Sequence, residues 1–292
     1  MITKVLPNVV ISGAPKCGTS SLFYWLTAHP NICGSRVKET FYFFDKINPR
    51  FNKNANFIEH GLSKYSQFWS HYKNEDVVIE ASAPYIYQQN AIKELSKLEK
   101  QPKIIFILRE PAARLYSLFN FDKHRLGYYP GSFNFSDFID KQKSVTDRRS
   151  QYDESKYMYY IEQWMQAFPK ENILVYQFEH LLKDKVAFMK NIATDIGIDN
   201  EFYTHFDYFK RNETRSMKSH KLHHLGLKLQ PYFPQFIQEK VLLPLYLKAN
   251  SKPSPSKSEK EKDLLLQLKS EFRPLNENLF GAFANLDPKY WN

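Results

Sequence analysis

The chain has few of the residues that form disulfides or bind structural metals, and its apolar segments are short. It contains only two cysteines among 292 residues, Cys17 and Cys33, too few for a disulfide framework in a chain of this size. Three histidines within residues 220–224 have no partner ligands at zinc spacing, so we predict no structural metal. The first apolar strand, residues 6–12, is too short for a secretory or membrane-spanning segment. We expect a soluble, cytoplasmic protein without a membrane span.

The composition predicts one large core. Hydrophobic residues make up 42% of the chain and aromatic residues 16%, and there is no internal repeat or long flexible linker, so we expect a single domain over residues 1–292. The formal net charge is +10. It is concentrated in residues 210–262, which hold twelve Lys or Arg and four Asp or Glu. Such a field attracts an anionic small molecule, a polyanionic glycan, an acidic membrane or a nucleic acid alike.

Residues 9–22 read as an apolar strand, a tight turn that contains Gly13 and Gly18, and the start of an amphipathic helix. Backbone N–H groups in such a turn, together with the positive end of the helix dipole, form a site for phosphate or sulfate without a metal. In the common nucleoside-triphosphate loop the lysine follows the second glycine, whereas here Lys16 precedes Gly18. The alternative is a glycine turn that binds nothing.

A second anion site is predicted after residues 103–108, a β-branched and apolar run typical of a central parallel strand. Arg109 follows this strand directly, Pro111 then begins a helix, and Ser117 lies about two turns into it. A guanidinium fork and a neutral hydroxyl suit a phosphate that is recognised but not transferred. Taken alone, an arginine at a strand end is more often a solvated surface charge.

A charged pair, Lys38 and Glu39, stands immediately before the aromatic run at residues 41–44. A carboxylate placed beside an acceptor hydroxyl is able to take its proton as a general base. The alternative is an exposed loop glutamate next to an aromatic core strand. Another apolar run, residues 78–85, ends in a small-residue turn and Tyr85.

Together these motifs resemble sulfotransferases that use 3′-phosphoadenosine-5′-phosphosulfate (PAPS). The run from Lys16 to Ser21 resembles their 5′-phosphosulfate loop, and Arg109-x-Pro-x-x-Arg-x-x-Ser117 resembles their 3′-phosphate motif. The segment around Glu39 resembles that of carbohydrate sulfotransferases, whose glutamate is the catalytic base. The resemblance implies an α/β fold of three layers, with a central, mainly parallel β-sheet flanked by helices, like that of P-loop NTPases.

The resemblance also implies a role for each matched residue. Lys16 and Glu39 would be catalytic, and Lys38, Phe41 and Tyr85 would contact the acceptor. The residues that would bind the donor PAPS and its product 3′-phosphoadenosine-5′-phosphate (PAP) are Lys16, Cys17, Gly18, Thr19, Ser20, Ser21, Arg109, Ser117, Arg215 and Lys218. No metal is implied. Residues 211–258 would form a variable basic region of helices and loops that covers donor and acceptor.

Two positions depart from the family pattern. Phe41 occupies the position of a family histidine, and Ala81 stands where heparan-type enzymes carry a lysine, which argues against a close heparan sulfotransferase. Cys17 stands where serine is common in the family, and we interpret it as a tolerated small residue rather than a reactive thiolate.

The favoured acceptor is a hydroxyl on a saccharide or glycan, and a lipid, polyketide or phenolic hydroxyl is the alternative. Two other classes of protein stay open. A kinase of the P-loop type would place its lysine after the glycine and carry a magnesium-binding aspartate at a strand end. A non-catalytic polyanion binder would need only the basic region. We expect no nucleic-acid partner, and the sequence does not predict an oligomeric state.

The apolar spacing of other segments predicts further helices and a further strand. We expect a first helix over residues 20–28, a helix over residues 155–168, a strand over residues 171–179 followed by a helix to about Ile196, and a closing helix within residues 264–280.

Overall fold

The computed structural model describes residues 5–146, 149–209, 215–217, 251–253 and 256–291. Its backbone contacts divide the chain into two units. The first unit consists of Met1–Arg114, Asp153–Asn212 and Lys269–Asn292. The second consists of Leu115–Tyr152 and Glu213–Leu268. Treatment of the whole chain as a single domain stays a prediction.

A five-stranded parallel sheet forms the centre of the first unit. Its strands are β1 (Val9–Gly13), β2 (Ile32–Gly34), β3 (Val77–Ala81), β4 (Lys103–Leu108) and β5 (Ile173–Gln177). Their spatial order is β2-β3-β1-β4-β5, and every neighbouring pair is parallel. All five residues of β1 and of β3 are buried, because parallel strands are covered on both faces and therefore carry nearly continuous apolar runs.

The helices, in chain order, are α1 (Thr19–Leu26), α2 (Phe57–Tyr65), α3 (Gln89–Leu95), α4 (Pro111–Asn120), α5 (Phe135–Lys143), α6 (Tyr157–Ala167), α7 (Phe178–Lys183), α8 (Lys185–Ile196), α9 (Glu259–Leu275) and α10 (Glu277–Ala282). Most of their apolar side chains face the core, as the amphipathic spacing of the sequence predicts. The helices of the first unit flank the sheet, and with it they form the predicted three-layer α/β architecture, which is confirmed. Within the described ranges, every helix is too short or too polar to span a bilayer.

The second unit has its own aromatic cluster. Phe135 and Phe138 of α5 are buried against Phe119 of α4, with ring centroids 5.5 and 5.7 Å from that ring. A capping box formed by Asn134 and Asp137 fixes the start of α5. This unit also contains two short antiparallel strands, β6 (Arg215–Met217) and β7 (Ser251–Pro253).

The element boundaries differ modestly from those predicted. The strand over residues 103–108 is confirmed as β4, whereas the strand over residues 171–179 is shortened to β5, because the chain turns into α7 at Phe178. The helix to Ile196 is two helices, since Asp184 has extended backbone and its side chain caps α8 by accepting from the Ala187 N–H.

Candidate active site

The turn between β1 and α1 is fixed by its own backbone. The Ala14 N–H donates to the carbonyl of Ile107 at the end of β4 (2.8 Å), and the Cys17 N–H donates to the Ala14 carbonyl (3.2 Å). Gly18 has φ +92°, and a Cβ placed on it would lie 2.8 Å from Cε2 of Phe178. Both observations require glycine, since a side chain would be strained in this conformation and would collide with the ring.

The N-terminus of α1 carries no side-chain cap and no acidic residue in its first turn. Some helices of the protein have a side-chain cap, as α2 has Asn56 and α8 has Asp184, whereas α3 and α6 have none, like α1. The first N–H groups of a helix have no intrahelical partner and lie at the positive end of its dipole. The turn therefore ends at N–H donors that no side chain satisfies among the residues described, which is the arrangement of an anion site.

Left-handed backbone outside glycine concentrates on the predicted site. Among the described residues, only four non-glycine positions have positive φ: Lys16 (71°), Glu39 (63°), Phe41 (54°) and Asn74 (74°). The first two are the predicted catalytic residues and the third is a predicted acceptor contact. Such backbone costs about 1–3 kcal/mol per residue and persists where the surroundings enforce it, commonly at functional sites.

Arg109 lies close to the same turn. The Tyr157 hydroxyl donates to the Arg109 carbonyl (2.8 Å) and lies 3.8 Å from the Cys17 sulfur. The Arg109 guanidinium carbon stands 5.1 Å from the centroid of the Phe178 ring, the ring that also packs against Gly18. One hydroxyl and one ring thus connect the turn with the arginine, so the two predicted anion contacts are brought together.

The peptide between Arg109 and Glu110 is held on both sides. Its carbonyl accepts from Tyr157, as described, and its N–H donates to Oε1 of Glu179 (3.0 Å). The other carboxylate oxygen of Glu179 accepts from the indole N–H of Trp291 (3.1 Å). Glu110 itself caps α4 by accepting from the N–H groups of its first turn, although burial raises the pKa of this carboxyl. The backbone that follows Arg109 is therefore fixed by groups from distant parts of the chain.

Glu39 lies at the same edge of the sheet. Its N–H donates to the Ala81 carbonyl at the end of β3 (2.7 Å), next to the end of β1. The ammonium of Lys38 contacts its Oε1 at 3.0 Å, with the Lys38 side chain 10% exposed and that of Glu39 32% exposed. The carboxylate is partly accessible and has a fixed cationic neighbour.

A buried carboxyl group, that of Glu80, holds the segment around Glu39 through hydrogen bonds. Glu80 of β3 is fully buried and accepts hydrogen bonds from the hydroxyls of Thr40, Tyr65 and Ser82. The Ser82 hydroxyl also accepts from the Phe41 N–H (3.2 Å). Burial raises the pKa of Glu80, and the three hydroxyl donors oppose that rise. The segment at residues 39–41 is therefore held by hydrogen bonds that converge, directly or through Ser82, on the carboxyl group of Glu80.

Three residues of the predicted site are buried: Tyr85, Cys17 and Thr19. The Tyr85 hydroxyl lies 3.1 Å from that of Thr40 and accepts from the Phe43 N–H. Tyr85 therefore packs beneath the Glu39 segment, and its contact with the acceptor stays a prediction. Cys17 is also fully buried, and desolvation raises the pKa of its thiol to about 11, as suits a tolerated small residue.

The other predicted site residues are placed as follows. Thr19 is buried and Ser20 and Ser21 are half-buried at the start of α1, and Ser117 is half-buried on α4. Arg215 begins β6, of which only the backbone is described, and Lys218 lies outside the described residues. No group of three or more His, Cys, Asp or Glu in the described ranges is placed to hold a metal ion.

Sequence reasoning missed four residues that build the site: Tyr157, Phe178, Glu179 and Glu80. Tyr157 read as one member of an aromatic core stripe, and no local signal distinguishes its hydroxyl from the others. Glu80 and Glu179 each stand at or just after the end of a predicted strand, where side chains of a parallel sheet approach a ligand edge. Their position at a strand end is the one feature of the sequence that could have indicated Glu80 and Glu179.

A parallel sheet with a glycine turn after its central strand and an arginine at its carboxyl edge defines an α/β protein with a phosphate-loop-like fold. The family model for the sulfotransferase domain matches residues 6–237, and the chain belongs to this family.

The chain is 26% identical over 227 residues to bifunctional heparan sulfate N-deacetylase/N-sulfotransferase 3 from Homo sapiens, a match that covers 74% of this chain and 24% of that protein. It is 23% identical over 207 residues to heparan sulfate glucosamine 3-O-sulfotransferase 3B1 from Mus musculus, covering 69% of this chain and 50% of that one. The matched region therefore spans a quarter to a half of these relatives.

Among solved structures, a sulfotransferase from Alicyclobacillus acidocaldarius superposes with a TM-score of 0.58 at 22% identity. The superposition covers 78% of this chain and 92% of that one. At this identity the likeness establishes the fold.

Proposed function

We propose that this protein transfers a sulfuryl group from PAPS to a hydroxyl of a saccharide and releases PAP. The observation that carries the proposal is the joint position of the strained Lys16 and Glu39 at the sheet edge where the turn and Arg109 meet. Membership of the sulfotransferase family supports it. The relative whose name states 3-O-sulfation of heparan sulfate supports a saccharide hydroxyl, whereas the relative named as an N-sulfotransferase supports a saccharide acceptor only.

The residues present fit the donor. The turn, the uncapped first turn of α1 and Lys16 would bind the 5′-phosphosulfate end, because N–H donors and one ammonium neutralise its charge without a metal. Arg109 would bind the 3′-phosphate through its guanidinium fork. Ser117, Arg215 and Lys218 are proposed from the sequence motifs as further donor contacts.

Bound PAPS supplies the sulfuryl group. Glu39 would take the proton from the acceptor hydroxyl, because an alcohol is a weak nucleophile until that proton is removed in the transition state. Lys38 holds one oxygen of Glu39 and leaves the other for the hydroxyl. Lys16 and the N–H groups of the turn would neutralise the negative charge that develops at the 5′-phosphate.

A P-loop kinase fits the residues less well. Lys16 precedes Gly18, and the strand ends carry Glu80, Arg109 and Glu179 rather than a magnesium-binding aspartate. A lipid, polyketide or phenol acceptor is the alternative within the same chemistry. The cytoplasmic location and the absence of a nucleic-acid partner stay predictions.

The experiment is transfer of labelled sulfate from PAPS to a panel of saccharides by the wild type and by Glu39→Gln. We expect kcat to fall by about 10²–10⁴, the usual contribution of a general base, while the dissociation constant of PAP changes less than twofold. Glu162→Gln, an exposed carboxylate on α6, is the matched control and should keep full activity. Full activity in Glu39→Gln would exclude Glu39 as the base.

A further inference from the structure

A cavity of about 360 Å³ lies between α1 and the edge strand β2. This volume is in the range of sites that hold a small molecule. Its wall is built by three parts of the chain: the second half of α1, the segment that follows β2, and the turn before β3. The wall residues used below are Tyr24, Thr27, Arg36, Lys38, His71 and Glu75.

The cavity is connected to the proposed base by a single ion pair. Lys38 forms part of the cavity wall, and its ammonium lies 3.0 Å from Oε1 of Glu39. Lys38 is thus shared by the cavity wall and by the ion pair with the proposed base. No other part of the proposed chemistry uses this space, since the phosphate turn lies at the opposite end of α1.

The packing of α1 against β2 closes the floor of the cavity. A Cβ on Gly34 would lie 2.5 Å from Cγ2 of Thr27, so the strand approaches the helix as closely as glycine allows. The Cys33 sulfur lies 3.6 Å from Nε2 of His71, and desolvation raises the pKa of this thiol to about 11. Cys33 is thus a neutral wall residue rather than a nucleophile.

The wall offers hydrogen-bonding groups of both kinds. Arg36 and Lys38 are donors, and His71 is a donor or an acceptor. Glu75 accepts the Lys73 N–H (2.7 Å), a bond that lowers the pKa of its carboxyl and keeps it charged. An apolar ligand would displace water from these groups and offer no hydrogen bond in return, at a cost of about 1–3 kcal/mol for each one that loses a bond. A ring with several hydroxyls would satisfy them, and the tyrosine of α1 adds an aromatic surface for it.

We propose that this cavity is the subsite for the non-reacting part of the acceptor, a polyhydroxylated ring of sugar size, with Arg36 and His71 among its contacts. The inference rests on the proposed function. Beyond that function, it states where the rest of the acceptor binds. It also states that the hydrogen-bonding groups of the cavity wall select a sugar over a phenol or a lipid.

The test compares Arg36→Ala and His71→Ala with the wild type, using PAPS, a panel of unsulfated mono- and oligosaccharides, and 4-nitrophenol as the apolar acceptor. Both side chains are exposed, so the fold should tolerate their removal. We expect each variant to raise KM for the best saccharide five- to tenfold, and to change kcat and the dissociation constant of PAP less than twofold. Lys93→Ala, which removes one exposed positive charge on α3, should leave all three constants unchanged.

Failure of this inference is distinguishable from failure of the proposed function. If the wild type binds PAP and sulfates a saccharide but neither cavity variant changes its KM, the cavity is not the subsite. A wild type that sulfates 4-nitrophenol and none of the saccharides overturns the saccharide acceptor of the proposed function, and with it the inference, while sulfuryl transfer from PAPS stands. A wild type that neither binds PAP nor transfers sulfate to any acceptor overturns the proposed function itself.

Discussion

The two sides of the candidate site are built by different means. The donor side, residues 14–21 with Arg109, is held by main-chain hydrogen bonds to strand ends and by the contacts of Tyr157 and Phe178. The acceptor side, residues 38–44, is held by side-chain hydroxyls that donate hydrogen bonds to the buried Glu80. The donor side therefore depends on the backbone at Gly18 and on two aromatic side chains, whereas the acceptor side depends on one ionisable carboxyl group. Substitutions on the donor side should therefore change the affinity for PAPS and PAP, whereas substitutions on the acceptor side should change kcat.

The largest effect is expected from Gly18→Ala on the donor side. The new Cβ would lie within 3 Å of the Phe178 ring in a left-handed backbone, so the turn must distort. We expect PAP to bind at least about a hundredfold more weakly, because a shift of the turn weakens several N–H contacts that each contribute about 0.5–1.5 kcal/mol or more to a charged group. Isothermal titration measures this directly.

Gly197→Ala is the matched control for that change. Gly197 also has positive φ (81°) but meets nothing within 4 Å, so this variant should lose about 1 kcal/mol of stability and bind PAP normally. Equal PAP affinity in the two variants would mean that the contact between Gly18 and Phe178 does not shape the site.

A large effect on the acceptor side is expected from Glu80→Gln. The amide presents one acceptor oxygen to three hydroxyl donors, so we expect about 1–3 kcal/mol of lost stability and a fall in kcat of about tenfold or more, with PAP affinity retained. Circular dichroism with denaturant and steady-state kinetics give both values. A loss of PAP affinity as large as the loss of kcat would contradict the separation of the two sides.

Glu80 also predicts how stability depends on pH. Burial raises the pKa of this carboxyl in the folded protein above its ordinary value of 4.5. The folded state then binds the proton more tightly than the unfolded chain does. Its contribution to stability is complete below pH 4.5 and is lost as the pH rises through the raised pKa. Glu80→Gln should remove this part of the pH dependence of stability. Denaturant titrations of both proteins between pH 4 and 8 measure it, and an unchanged pH dependence in the variant would contradict the prediction.

A smaller effect is expected from Tyr157→Phe. This change removes the hydroxyl that donates to the Arg109 carbonyl at 2.8 Å. The loss of about 1 kcal/mol should raise the KM for PAPS about fivefold with kcat nearly constant. Tyr42→Phe removes a bond of the same length, from a hydroxyl to the Gly61 carbonyl on the acceptor side, and should leave the KM for PAPS unchanged. An equal rise in both variants would show a general loss of stability instead.

The comparison also explains which parts were predictable from the sequence. The turn and β4 with Arg109 follow from local patterns, because apolar runs, glycine and proline act over a few residues. Tyr157 reaches Cys17 across 140 positions, and its hydroxyl looks like any other in an aromatic stripe. The burial of Tyr85 could not be predicted, because a motif match does not specify which way a side chain faces.

The account depends most on the claim that the turn at residues 14–21 and Arg109 bind opposite ends of one nucleotide. The direct measurement is the affinity of the wild type and of Arg109→Ala for PAP and for adenosine 5′-phosphate, which lacks the 3′-phosphate. We predict that the wild type prefers PAP by about tenfold or more, as a charge-assisted bond of 1.5–3 kcal/mol implies, and that the variant loses this preference while it binds adenosine 5′-phosphate as before. An unchanged preference in Arg109→Ala would contradict the claim.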